Sequence, residues 1–227
     1  MTYNNSILTQ FKSQLIVSCQ APKDSPIHAP EIITAIAQAC IKQGAKGVRL
    51  DTPEHIKACR SALPNIPIIG LWKRDYPGYQ VYITPCQKDA LAIVEAGADI
   101  IAIDATTRER PEGETVPQLI TQIHQWGKLV MADIDSLESA IAATQAGADV
   151  IGTTLYGYTK ETQQFTPPGY DLLAQCLEKI DLPVICEGGI ASPAMAKKAL
   201  EIGAYSVVVG TAITGIDLKV KDFKSVF

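Results

Sequence analysis

The sequence is short of several things, and each shortage excludes a class of protein. It holds three histidines in 227 residues, and its net charge is −4. A chain without a basic excess is a poor nucleic-acid binder. Phosphate binding stays open, because a few backbone N–H groups can hold one phosphate. No apolar run is long enough to span a bilayer, so no membrane partner is expected. Met1–Gln14 are polar and lack the apolar core of a signal peptide, which leads us to expect a cytoplasmic protein. Six cysteines are present, Cys19, Cys40, Cys59, Cys86, Cys176 and Cys186, but no C-x-x-C pair. They fall within apolar patterns and read as buried reduced thiols, not as a disulfide framework. There is no linker, low-complexity tract or composition break, so residues 1–227 are expected to form one catalytic domain.

What the chain does have is a repeated phrase. Gly44-Ala45 leads into GVRLD, Gly97-Ala98 into DIIAID, Gly147-Ala148 into DVIGTT and Gly203-Ala204 into YSVVVG. Each time a helical pattern stops at a glycine, as helices do, and a β-branched run follows. Short apolar runs predict eight strands, near 14–19, 47–51, 67–72, 99–104, 129–133, 150–154, 183–187 and 206–210. Between them lie helix-length segments opened by Pro30, Thr52-Pro53, Pro117, Ser136 and Ser192-Pro193. Strands that are apolar throughout fit a parallel sheet covered on both faces. Eight such units predict an α/β fold, a (β/α)8 TIM barrel with a parallel eight-stranded core. The alternative, a doubly wound dinucleotide-binding sheet, would want G-x-G-x-x-G after its first strand. This chain has Gln20-Ala21-Pro22-Lys23 there.

Barrel chemistry sits at the C-terminal ends of the strands. Those ends carry Gln20, Arg49 with Asp51, Lys73 followed by Arg74 and Asp75, Asp104, Asp133 and Glu187. Arg49 and Asp51, two apart, face the same way, and the set is expected to converge on the mouth. Asp51, Asp104, Asp133 and Glu187 could in principle ligate a metal. Lys73 and Arg49 oppose that, so no metal is expected. Two glycine-rich turns follow consecutive strands, Glu187-Gly188-Gly189-Ile190 and Val209-Gly210-Thr211-Ala212. Bare N–H groups at these two places hold phosphate in barrels, so Gly188, Gly189, Gly210 and Thr211 are candidate phosphate ligands. His55 and His124 fall in helical stretches of the outer ring and are expected at the surface, whereas His28 lies in the loop after strand 1.

GVRLD around Arg49, GLWKRDYPGYQVYITP around Lys73, IIAIDATTRERP around Asp104, MADI around Asp133 and CEGGI at Glu187 resemble the N-acetylmannosamine-6-phosphate 2-epimerases. The likeness runs from SCQ at strand 1 to VVVGTAIT at strand 8. It implies an isomerase of amino-sugar and sialic-acid catabolism that uses no organic cofactor. Its substrate would be a phosphorylated N-acyl amino sugar, and a homo-oligomer such as a dimer is compatible with it. Lys73 and Glu187 carry over as the catalytic pair, and Gln20, Arg49 and Asp133 as substrate-binding residues. The Gly188 and Gly210 loops carry over to the phosphate. One departure stands out. The family usually continues A-I-T-R after strand 8, but this chain reads Ala212-Ile213-Thr214-Gly215. An arginine restored at 215 is therefore expected to strengthen phosphate binding, unless Lys219 or backbone amides already fill that role.

Inverting C2 of such a sugar means removing a proton acidified by the C1 aldehyde of the open chain. That needs a base near C2, a proton carrier at the C1 oxygen and positive charge near the enolate. Lys73 can be the base only if its pKa is depressed by burial and by Arg49 or Arg74, against Glu187 and Asp133. Asp104 has no assigned role. Two rival readings remain at this point, a Schiff-base aldolase or lyase using Lys73 and a non-catalytic sugar-phosphate sensor.

Overall fold

The structure is a computed structural model and describes residues 7–227. The expectation for the polar N-terminus therefore lies partly outside the described residues. Eight strands alternate with helices: β1 (Leu15–Cys19), α1 (Pro30–Lys42), β2 (Gly47–Asp51), α2 (Pro53–Ala62), β3 (Ile68–Leu71), α3 (Gln87–Glu95), β4 (Ile100–Asp104), α4 (Val116–Gln125), β5 (Leu129–Asp133), α5 (Leu137–Gln145), β6 (Val150–Gly152), α6 (Tyr170–Lys179), β7 (Val184–Glu187), α7 (Pro193–Ile202), β8 (Ser206–Val209), and then α8 (Thr211–Thr214) and α9 (Ile216–Lys224). The strands close in sequence order into a parallel barrel, with β1 pairing β8. This is the TIM barrel that the repeated phrase implies.

The helix signals act where the sequence places them. Thr52, Ser136 and Ser192 cap α2, α5 and α7 by accepting from His55 N, Ser139 N and Met195 N. Each cap satisfies an otherwise unpaired N–H. Helix α4 starts one residue before Pro117, because Thr115 and Gln118 form a capping box. The repeat glycines Gly44, Gly97, Gly147 and Gly203 all have φ between 97° and 120°, which stops each helix before the next strand.

The period of two along each strand sorts its residues into two cores. Val17, Cys19, Val48, Leu50, Ile101, Ile103, Val130 and Ala132 face outward and pack under the helices. Ile16, Ile69, Leu71, Ile100, Ala102, Leu129, Met131, Val150, Ile185 and Val208 face inward and fill the barrel, with Leu8 and Phe11 packed among them. Continuing the inward set to the strand ends gives Gln20, Asp51, Lys73, Asp104, Asp133, Thr154, Glu187 and Gly210. One parity rule thus builds both the packed interior and the ring of polar residues above it.

The six cysteines are free thiols, with only Cys40 partly exposed. His55 corrects an expectation: it is 2% exposed, not a surface residue. Its ring packs edge-on against His28 with centroids 4.6 Å apart. A helix of the outer ring also has an inner face, and His55 lies on it with Ile56 and Cys59. His124 is the surface residue expected, bonded to Asp149 at 2.8 Å.

Candidate active site

A cavity of about 640 Å³ opens at the C-terminal end of the barrel. Gln20, Arg49, Asp51, Lys73, Glu187, Gly188, Gly189, Gly210 and Thr211 all line it, as do Tyr82, Thr154 and Tyr158. Residues from β1, β2, β3, β7 and β8 and the loops that follow them thus meet at one site.

Lys73 lies two residues beyond β3, where a bridge to Ile83 holds the chain extended. Its backbone N–H donates to Asp51 Oδ1 at 2.9 Å, and its Nζ donates to Gln20 Oε1 at 2.5 Å. Gln20 in turn donates to Ser18 Oγ at 2.9 Å, which orients the amide. Burial pushes the Lys73 ammonium below the ordinary lysine range; Arg49 adds to this, while Asp51, Glu187 and Asp133 oppose it. Arg74 is turned away, with its guanidinium 4.4 Å over the Trp72 ring.

Arg49 is fully buried and works from below the rim. It forks onto Asp133, Nη1 to Oδ1 at 3.1 Å and Nη2 to Oδ2 at 2.6 Å. Nη1 also lies 3.0 Å from Glu187 Oε2. Burial alone would weaken the guanidinium charge, but Asp133 and Glu187 outweigh it and hold Arg49 charged. Thr154 closes the cluster, with its hydroxyl 2.6 Å from Asp133 Oδ1 and 3.1 Å from Glu187 Oε2. Burial pushes the Glu187 carboxyl up to about 7; Arg49 opposes this and Asp133 adds to it. Tyr82 is pushed up to about 12, by burial and then by Asp133 and Asp104. The site therefore brings into one cavity a lysine whose charge burial disfavours and a carboxyl that burial raises to about 7, which suits proton exchange.

Two strand-end aspartates do not meet the cavity as expected. Asp133 is wholly buried and does not line it. Its oxygens are taken by Arg49 and Thr154, so it holds Arg49 from behind the cavity wall. Asp104 is bonded to Thr106 and, at 2.7 Å, to Arg108. Arg108 folds back over that strand end and removes Asp104 from the mouth. Thr154, Tyr82 and Tyr158 belong to the site without having been singled out in the sequence. Strand 6 ends in hydroxyls, so a search for charged strand ends passes over it. Its signal is the polar pair Thr153-Thr154 after an apolar strand.

The glycine loops have a steric reason to be glycine. Gly188 and Gly189 have φ of 100° and 68°, and a Cβ on Gly189 would lie 2.8 Å from the Pro167 carbonyl carbon. No other residue fits there without moving backbone.

A family described as "Putative N-acetylmannosamine-6-phosphate epimerase" matches residues 33–226. The chain belongs to that family. A Synechococcus elongatus protein is 59% identical over 218 residues, covering 95% of this chain and 94% of that protein. A Listeria monocytogenes protein is 42% identical over 214 residues, covering 92% of this chain and 90% of its own length. Both carry the name "Putative N-acetylmannosamine-6-phosphate 2-epimerase". Among solved structures, the N-acetylmannosamine-6-phosphate 2-epimerase from Clostridium perfringens superposes with a TM-score of 0.93 at 40% identity, covering 97% of this chain and 96% of that one. A 3-hexulose-6-phosphate synthase from Salmonella typhimurium gives 0.66 at 19% identity, a likeness of fold alone.

The family's usual arginine after strand 8 has no room at this chain's position 215. A Cβ on Gly215 would lie 2.8 Å from both Cα and the carbonyl oxygen of Thr211. An arginine at 215 could therefore enter only by moving the Thr211 backbone, which counts against the expectation that it would strengthen phosphate binding. The one-turn helix α8 closes on Gly215 so tightly that a Cβ there would have to displace Thr211.

Proposed function

We propose that this chain interconverts N-acetylmannosamine 6-phosphate and N-acetylglucosamine 6-phosphate by moving the proton on C2, as a cytoplasmic enzyme. The observation that carries this reading is the pairing, in one cavity, of a lysine shifted down and a carboxyl shifted up to about 7. Family membership and the likeness to the Clostridium protein supply the substrate.

In the proposed reaction the sugar binds as its open-chain aldehyde. Neutral Lys73 Nζ takes the C2 proton, the C–H electrons move into the C1 carbonyl, and Glu187 donates a proton to the C1 oxygen. Gln20 Oε1 holds one Nζ proton and so orients the lone pair towards C2. Asp51, fixed to the Lys73 backbone, stabilises the ammonium as it forms. Arg49 keeps Glu187 in place, Asp133 holds Arg49, and Thr154 donates to both carboxylates. Return of a proton to the opposite face of C2 completes the inversion. Gly188, Gly189, Gly210 and Thr211 anchor the 6-phosphate.

The test is to incubate the protein with N-acetylmannosamine 6-phosphate and follow the anomeric region by proton NMR. Growth of N-acetylglucosamine 6-phosphate signals is expected. A static spectrum at high protein concentration sinks the reading.

A further inference from the structure

The cavity is lined by four cationic side chains, Lys23, Arg49, Lys73 and Lys219. Two of them are committed. Arg49 is locked to Asp133 and Glu187, and Lys73 is held on Gln20 and Asp51 at the reacting end. Lys23 and Lys219 are not. Among the described residues, neither takes part in an ion pair. Lys23 is exposed on the loop between β1 and α1, and Lys219 is half-buried in the first turns of α9.

The two segments that carry them are tied together. Ser25 Oγ donates to Asp217 Oδ2 at 3.0 Å, joining positions two residues from Lys23 and from Lys219. That bond also occupies Asp217, the acid that lines the cavity beside Lys219. The floor beneath is fixed as well, since Thr214 Oγ donates to Ser18 O at 2.8 Å and joins α8 to β1. Both lysines line the same cavity as Gly188, Gly189, Gly210 and Thr211, on segments that these two hydrogen bonds hold together.

A phosphate dianion needs compensating charge, and Gly215, between the two short helices that follow β8, cannot take a side chain without moving the Thr211 backbone. We propose that Lys219 and Lys23 together form a two-lysine clamp on the substrate phosphate, held at its span by the Ser25–Asp217 hydrogen bond. Lys219, half-buried, is the stronger arm, because its charge is less screened than that of exposed Lys23. This rests on the proposed reading of the cavity as a sugar-phosphate site, and it adds the residues that neutralise the anion.

The test is titration calorimetry with inorganic phosphate, run beside turnover of N-acetylmannosamine 6-phosphate. Lys219→Met should weaken phosphate binding about tenfold, as expected for loss of a charge-assisted bond, and Lys23→Met about threefold. The double variant should lose the product of the two. Lys219→Arg, which keeps the charge, should keep the wild-type affinity, whereas a merely structural role for the lysine stem predicts no loss in Lys219→Met. Ser25→Ala should weaken binding less than either lysine change, with the same sign. The clamp is overturned if the double variant, folded by circular dichroism, binds phosphate within twofold of wild type while still turning over the sugar phosphate. If wild type neither binds phosphate nor turns over the sugar, the underlying reading fails, and the clamp with it.

Discussion

Arg49 grips Asp133 through both terminal nitrogens, at 3.1 and 2.6 Å, deep in the barrel below the reacting groups. Gly152 makes the space for this fork. A Cβ there would run into Met131 Cε and come within 3.1 Å of Asp133 Oδ1. A bidentate pair this buried is worth little against apolar packing, but removing one partner strands the other. Arg49→Met should therefore destabilise the fold by about 3–5 kcal/mol at pH 8. The deficit should shrink at pH 5, because Glu187, already raised by burial and now without its cation, takes up a proton in the folded state. Denaturant melts at the two pH values check this. Equal losses would mean that Arg49 acts only through its bulk.

The outer architecture was legible because it rests on local chemistry. Capping residues, helix-ending glycines and β-branched runs each act within a few residues, so they can be read one at a time. The rim of the barrel was legible through strand parity, and Lys73, Glu187, Gln20 and Arg49 do line one cavity. What failed needed distances across the chain. Arg108 capping Asp104, Asp133 lying behind Arg49 and Thr211 crowding Gly215 are all set by packing that no spacing encodes. His55 is misplaced for a simpler reason, since the phase of α2 turns it inward with Ile56 and Cys59, and a helical stretch alone does not fix that phase.

Glu187 gives the pH dependence. Burial raises its carboxyl to about 7, so activity as a function of pH should bend there. Glu187→Gln should remove that bend and leave the one due to Lys73. Stability follows with a definite sign. The folded state keeps a proton that the unfolded chain, near 4.5, has already released. Its relative stabilisation at low pH is lost as pH rises through about 7. The glutamine variant should therefore gain stability relative to wild type between pH 5 and pH 8. Parallel melting curves would show that Glu187 is not perturbed.

Lys73→Met separates catalysis from folding. Loss of the proposed base should cut turnover by roughly 10²–10⁴-fold or more. The same change removes a buried ammonium whose pKa burial pulls down, so the melting temperature should hold or rise. Near-wild-type turnover in a folded variant would remove lysine from the mechanism.

Gly215 tests the tight turn of α8. Because a Cβ at 2.8 Å from Thr211 Cα and O meets backbone, Gly215→Ala should destabilise by about 1–3 kcal/mol. Gly215→Arg should do at least as much, and KM for the sugar phosphate should not fall. An arginine variant with normal melting and a lower KM would show that the turn opens easily and that position 215 can reach the phosphate.

The fate of the C2 hydrogen decides between an epimerase and a lyase. If Lys73 takes that proton, it becomes an ammonium with two other hydrogens, half-buried at an open cavity. Exchange with solvent is then possible during the lifetime of the enol, so product formed in deuterated water should carry deuterium at C2. Substrate recovered at early times reports the reverse step. One lysine serving both faces puts label into both pools, whereas separate groups put it mainly into product. A lysine shielded from solvent throughout would instead return most of the original hydrogen, which the closed geometry of Nζ on Gln20 could enforce only with the sugar in place. Under every version of proton transfer the carbon skeleton stays intact. A Schiff-base lyase would instead break a carbon–carbon bond, and borohydride added with substrate would fix the sugar covalently to Lys73. Shorter carbonyl products, or a borohydride adduct on Lys73 formed at the rate of turnover, would overturn the epimerase. Deuterium at C2 with every carbon retained is the expected result.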